Sequence, residues 1–144
     1  QRMTTKAVEV IKIDKPLFTF LHLDLVDHAG HASRYGSPEY LAAVSEADRL
    51  LGQILQAVSD AGIADKTAVI VLSDHGGKDK GHGGSSPEET TVPWMAAGPG
   101  LVAGKTLAEP ISIAQTAPTI ARLLRVKCPA AWTQQPVAEA FAQH

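Results

Sequence analysis

A single cysteine in 144 residues, Cys128, leaves no partner for an internal disulfide and too few thiolates for a cysteine-based zinc cluster. Neither sign of charge is in excess. Thirteen lysines and arginines stand against fifteen aspartates and glutamates, a net charge of -2, so no basic field recommends a nucleic-acid polymer as partner. No stretch approaches the roughly 18 consecutive apolar residues of a membrane span, and there is no internal repeat or low-complexity linker. The start, Gln1-Arg2-Met3, has no initiator in first position and no charged segment leading into an apolar signal. We therefore expect residues 1–144 to be a piece of a longer protein whose targeting signal or anchor would lie upstream. What is present is ordinary for a globular chain, 44% hydrophobic and 19% charged, and 144 residues suit one domain with a moderate core.

Hydrophobic patterning points to an α/β fold. Ala7 to Ile13 mixes Val8, Val10, Ile11 and Ile13 with Glu9 and Lys12, which suits a short amphipathic helix or an edge strand, the helix being preferred. Leu17 to Leu23 is apolar on both faces and rich in strand formers, and is expected to be a buried parallel strand delivering the chain to Asp27. Gly30, Gly36 and Ser37-Pro38 mark a loop, with Ser37 as N-cap, Pro38 at the first helical position and Glu39 in the first turn. A long helix follows. Its apolar positions Leu41, Val44, Ala47, Leu51, Ile54 and Val58 form a stripe expected to pack on the sheet, and Gly62 stands where a C-terminal glycine cap belongs. Thr67 to Leu72 is the clearest strand, Val92 to Ala97 a shorter one near an edge because of Pro93, and Ile111 to Ile113 a last strand segment. Thr116 to Leu124 reads as a helix that tolerates Pro118 in its first turn, and the tail beyond Pro129 as irregular. The order predicts a layered, mostly parallel α/β sheet flanked by helices.

Five potential metal ligands stand out because they form short patterned groups in glycine-rich surroundings. Asp27 and His31 lie four apart with Gly30 between them, a spacing at which a turn aims a carboxylate and an imidazole at one cation. Asp74 and His75 follow the clearest strand directly and are succeeded by Gly76-Gly77, whose freedom lets neighbouring side chains converge. His82 sits in Gly81-His82-Gly83-Gly84. Taken singly, each group is more often turn chemistry or an exposed loop than a metal site; together, three imidazoles and two carboxylates suit a divided centre for two divalent metals, zinc first and manganese second. His22, Asp24, His28 and His144 lack a partner pattern and are expected to be structural or exposed, and Asp48 to be a carboxylate at the edge of the helix stripe.

At these residues the chain resembles the alkaline phosphatase superfamily, and within it the type I phosphodiesterase and nucleotide pyrophosphatase branch. The carrying stretches are Leu23 to His31, Ser37-Pro38-Glu39-Tyr40, Val44 to Asp48, Ser73 to Gly77, Gly81-His82-Gly83, Pro87-Glu88-Glu89, Val92-Pro93-Trp94 and Gly98-Pro99-Gly100. The resemblance implies a metal-dependent phosphoryl-transfer hydrolase acting on small phosphate esters, in an extracytoplasmic setting. It makes Asp27, His31 and His82 ligands of one metal and assigns Asp74 and His75 to the other, which an upstream Asp and a Ser or Thr nucleophile would complete. Thr4, Thr5 and Asp14 lack the strand and helix-start context for those roles and are not assigned. The carboxyl-terminal part of a larger catalytic domain is thus expected, inactive by itself because in-line displacement needs the nucleophile and both metals.

Cys128-Pro129-Ala130-Ala131-Trp132 lacks the Pro and Arg spacing that a sulfatase needs around its modified residue. Phosphoglycerate mutase and phosphopentomutase relatives also use Asp-His-Gly with a later His, so a metal-dependent phosphomutase is the alternative enzyme, and a non-catalytic metal-binding module the alternative of another class. Gly81-His82-Gly83 favours the hydrolase branch. Gln115 and Gln134-Gln135 replace the Asp and Asp-Gly usual in the family, which bears on helix capping and on the tail rather than on the ligands.

Overall fold

The computed structural model describes residues 2–142, and these fall into two compact units. The first comprises the chain up to Ala64 together with His75–Val92; the second comprises Asp65–Asp74 and the chain from Pro93 onward. His144 lies outside the described residues.

The first unit is helical. Helix α1 spans Arg2–Ile13, α2 Leu25–Ser33, α3 Pro38–Asp60 and the single turn α4 Pro87–Thr90. Helix α3 starts as its sequence predicts: Ser37 Oγ accepts the Tyr40 N–H at 3.2 Å, and Pro38 occupies a first-turn position where no amide hydrogen is needed. It stops at Ala61, after which Gly62 adopts a left-handed φ of 66° that a side chain would oppose. The buried face of α3 differs from the expected stripe. Leu41 and Val44 are exposed, while Leu50, Ala57 and Val58 are buried. Ala57 and Val58 pack with Ile11 of α1, flanked by Val8, Ile54, Ala61 and Ile63, so α3 lies on a helix here rather than on a sheet. Burying such side chains stabilises by about 1.5–3 kcal/mol each. Lys12 ties the same pair of helices by donating to Asp60 at 2.7 Å.

Two expectations for this unit are corrected. Leu17 to Leu23 forms no strand: Leu17 is 94% exposed and Phe20 74%, and no ladder partner is present among the described residues. An apolar run acquires strand structure only when neighbouring strands take its backbone hydrogen bonds. The residues from Asp27 to His31 are not a loop; they lie within α2, where a spacing of four is one helical turn.

The second unit holds strands β1, Val69–Leu72, and β2, Trp94–Ala97, and helix α5, Thr116–Leu123. The expected mostly parallel sheet is not what they form, since β1 and β2 pair antiparallel with Val69 opposite Ala97 and Leu72 opposite Trp94. Pro93 falls just before the ladder, where its missing N–H is not required. Ile111 to Ile113 is not a strand either. Ser112 instead caps a 3-10 turn over Ile113–Gln115, and Gln115 takes the reciprocal role by accepting the Ser112 N–H at 3.0 Å. Gln115 thus caps this turn, and its amide donates to the Gln135 carbonyl at 3.3 Å. The tail supplies the core: Val137, Ala140 and Phe141 are buried against Trp94, Leu101, Leu107, Ile111 and Leu123. Phe141 also carries the Arg122 guanidinium 3.8 Å above its ring.

Candidate metal centre

Helix α2 places Asp27 and His31 on one face, one turn apart. The third member arrives from a turn about fifty residues later, and several bonds bring it there. Lys78 and Gly81 bridge each other to make a tight hairpin, with Asp79 at a positive φ of 52°. That hairpin docks on the carboxyl end of α2: the Tyr35 N–H donates to the Asp79 carbonyl at 2.7 Å, Lys80 Nζ donates to the Ala32 carbonyl at 2.9 Å, and His31 Nδ1 meets the Lys80 carbonyl at 2.7 Å. His82, the next residue after the hairpin, is thereby delivered to α2.

Downstream, Glu89 holds the loop in shape. Its carboxylate accepts the Gly84 N–H at 2.8 Å and the Ser86 hydroxyl at 2.7 Å, and these bonds lower its pKa from the ordinary carboxylate value. Upstream, the Gly76 and Gly77 amides donate to the Glu89 and Glu88 carbonyls at 2.7 and 2.9 Å. A side chain at Gly76 would lie 2.1 Å from the Glu88 carbonyl oxygen, so only glycine permits this approach.

The outcome is a cluster. Asp27 Oδ1 lies 3.5 Å from His31 Nε2 and 3.6 Å from His82 Nε2, and one ligand atom from each residue falls within 4.8 Å of the others. Two donors bound tetrahedrally at about 2.0–2.1 Å from zinc stand about 3.3 Å apart, close to the two spacings from Asp27 to the imidazoles. The tautomer is suitable too. A carbonyl can only accept, so the Lys80 oxygen takes the proton on His31 Nδ1, and Nε2 is the nitrogen that faces Asp27. His75 joins the group by stacking on His82, with ring centroids 3.7 Å apart and planes at 17°, while its own Nδ1 meets the Gly76 carbonyl at 2.8 Å.

The electrostatics agree with an anionic centre. A hydrogen bond from the Tyr35 hydroxyl holds Asp27 below the usual carboxylate range; partial burial opposes this, and His31, His82 and His75 reinforce it. Asp27 is therefore ionised near neutrality, as a ligand must be.

Of the five residues singled out in the sequence, Asp27, His31 and His82 converge, His75 stacks beside them, and Asp74 is an exposed residue of the second unit. His22, His28 and Asp24, which lack a partner pattern, are exposed, and so is Asp48 on α3. Thr4 is buried within α1 and Asp14 is exposed at its end, neither placed at the cluster. Sequence reasoning missed Tyr35. It follows the end of α2, where Arg34 has a positive φ of 104°, so helical phase gives no indication that its hydroxyl returns to Asp27.

Comparison with known proteins bears on the same segments. GPI ethanolamine phosphate transferase 1 of Emericella nidulans is 38% identical over 96 residues, covering 66% of this chain and 10% of that protein. The protein of the same name from Mus musculus is 38% identical over 103 residues, covering 70% of this chain and 10% of its own length. Steryl-sulfatase of Rattus norvegicus is 28% identical over an aligned length of 159, covering 90% of this chain and 27% of that enzyme. The chain thus spans about a tenth of the transferases it matches. The type I phosphodiesterase / nucleotide pyrophosphatase family matches residues 1–82, a span that contains α2, His75 and His82. On that match the chain belongs to this family, within the alkaline phosphatase superfamily.

Proposed function

We propose that the chain contributes a metal-binding part of a phosphoryl-transfer enzyme. The observation that carries this reading is the convergence of Asp27, His31 and His82 from α2 and a distant hairpin, with both Nε2 atoms near one carboxylate oxygen. Zinc is the ion such a set of two imidazoles and a carboxylate suits best, and manganese the second. Bound there, a divalent ion would supply Lewis-acid stabilisation of charge on phosphoryl oxygens. The chain's own residues do the rest: Asp27 provides the anionic ligand, the Lys80 carbonyl orients His31, and the Glu89 carboxylate shapes the loop after His82. The cluster stays partly open to solvent, which leaves room for a ligand beside it.

A second metal held in part by Asp74 and His75 is proposed from the family resemblance, as are the layered parallel sheet and the completion of that metal by an Asp and a Ser or Thr nucleophile of a longer chain. On this reading residues 1–144 do not turn over a phosphate ester by themselves. The substrate is a small phosphate ester. Whether the acceptor is water separates a hydrolase from a transferase, and the relatives named as ethanolamine phosphate transferases favour transfer.

Calorimetric titration with zinc tests the metal reading. The chain should bind, and His82→Ala should abolish binding at the cluster while the protein remains folded by circular dichroism; equal affinity in the variant would sink the assignment.

A further inference from the structure

We propose that Tyr35 is a positioning residue that sets the orientation of the Asp27 carboxylate for the metal, an inference that rests on the metal reading above. The Tyr35 hydroxyl donates to Asp27 Oδ1, the same oxygen that faces His31 Nε2 and His82 Nε2. A carboxylate oxygen has two lone pairs. With one engaged by the phenol, the side chain is held in a single rotamer and the other lone pair is directed toward the two imidazoles.

The ring is itself held on several sides. A Cβ at Gly30 would come within 2.7 Å of it and a Cβ at Gly77 within 2.3 Å, so two missing side chains make the slot in which it lies. Tyr40, in the first turn of α3, packs against it with ring centroids 5.3 Å apart. Its backbone N–H is anchored to Asp79 in the hairpin that delivers His82. Tyr35 therefore links three pieces that assemble the cluster: α2 through Gly30 and Asp27, the segment after His75 through Gly77, and the hairpin through Asp79. Neither glycine is demanded here by φ, since neither has a positive value; the space for the ring is the reason for both.

The hydroxyl and the ring can be tested separately. Tyr35→Phe keeps the ring in its slot and removes only the donor to Asp27. Zinc affinity by calorimetry should fall about 10–100-fold, the usual effect of removing an outer-shell hydrogen bond to a ligand. The visible absorption bands of the cobalt-substituted protein should shift, and the melting temperature of the metal-free protein should move little. A merely structural tyrosine would show the reverse, a lower metal-free melting temperature with unchanged affinity, and that result overturns the proposal. Should the variant fail to fold, fluorine NMR of fluorotyrosine-labelled wild-type protein decides. The Tyr35 resonance must move during zinc titration more than that of Tyr40, and a titration that moves neither overturns the role. A wild-type chain that takes up neither zinc nor cobalt fails at the metal reading itself, whereas normal wild-type uptake with an unaffected Tyr35→Phe fails only here.

Discussion

Around Asp27, two imidazole nitrogens lie 3.5 and 3.6 Å from one carboxylate oxygen and all three side chains stay partly exposed, whereas around Thr119 the polar atoms are sealed. Thr119 is 0% exposed; its hydroxyl donates to the Gln115 carbonyl at 2.6 Å and accepts the Val137 N–H at 2.9 Å. Nearby, the Trp94 indole donates to the Thr116 hydroxyl at 3.1 Å. Around Thr119 and Thr116, then, the hydroxyls close on the backbone and on a neighbouring side chain. In the first unit His31 closes on the backbone with one atom and presents the other, with Nδ1 on Lys80 and Nε2 toward Asp27. A structural polar network is recognised by its completeness, a binding site by lone pairs held in place and left over.

The contrast predicts graded effects. Gly76→Ala should be the most severe, because its Cβ would sit 2.1 Å from a backbone oxygen that is itself bonded to Gly77. We expect a loss of about 3 kcal/mol or more in denaturant unfolding together with loss of zinc uptake, since the strain falls between His75 and the α4 turn. Survival of both stability and uptake would show that this approach does not matter. Thr119→Val should come next, costing about 1–3 kcal/mol because the Val137 N–H is left buried without an acceptor. Its zinc affinity should equal that of wild type; a parallel fall would break the division between the sealed network and the presented one.

The smallest effect concerns pH. Asp60 is held below the ordinary carboxylate value, first by its hydrogen bond from Lys12 and then by that from Gln56. A depressed folded-state pKa contributes stability that is present above the unfolded value and is lost as pH falls through the folded one. The pair is exposed, so the effect is small. Melting curves of wild type and Asp60→Asn should differ most near neutrality and converge on acidification below about pH 4. A difference that persists undiminished in acid would refute this account.

Much of the local structure was legible because it depends on neighbours. Ser37 and Pro38 announced α3, Thr116 with Pro118 announced α5, and the β-branched run before Ser73 announced β1, two residues longer than it is. The apolar run from Leu17 misled because its composition fits a buried strand, while a strand exists only where others take its hydrogen bonds. The tail is irregular, as its sequence predicts. It has little regular structure beyond a 3-10 turn, yet Val137 and Phe141 form the core of their unit, and burial there follows from contacts rather than from periodicity.

For the candidate centre the same division holds. Residue types and short spacings are properties of the sequence alone: Asp27 and His31 four residues apart, and His75 and His82 in glycine-rich surroundings, with donors that suit a divalent metal. Only the tertiary structure decided that His82 meets α2, that His75 stacks on it, that Asp74 belongs to the other unit, and that Tyr35 turns back to Asp27. Those outcomes depend on the positive φ values at Arg34 and Asp79 and on the space left by Gly30 and Gly77. Spacing along a helix is fixed by backbone geometry within a few residues, whereas contact between residues fifty positions apart depends on where the intervening turns direct the chain.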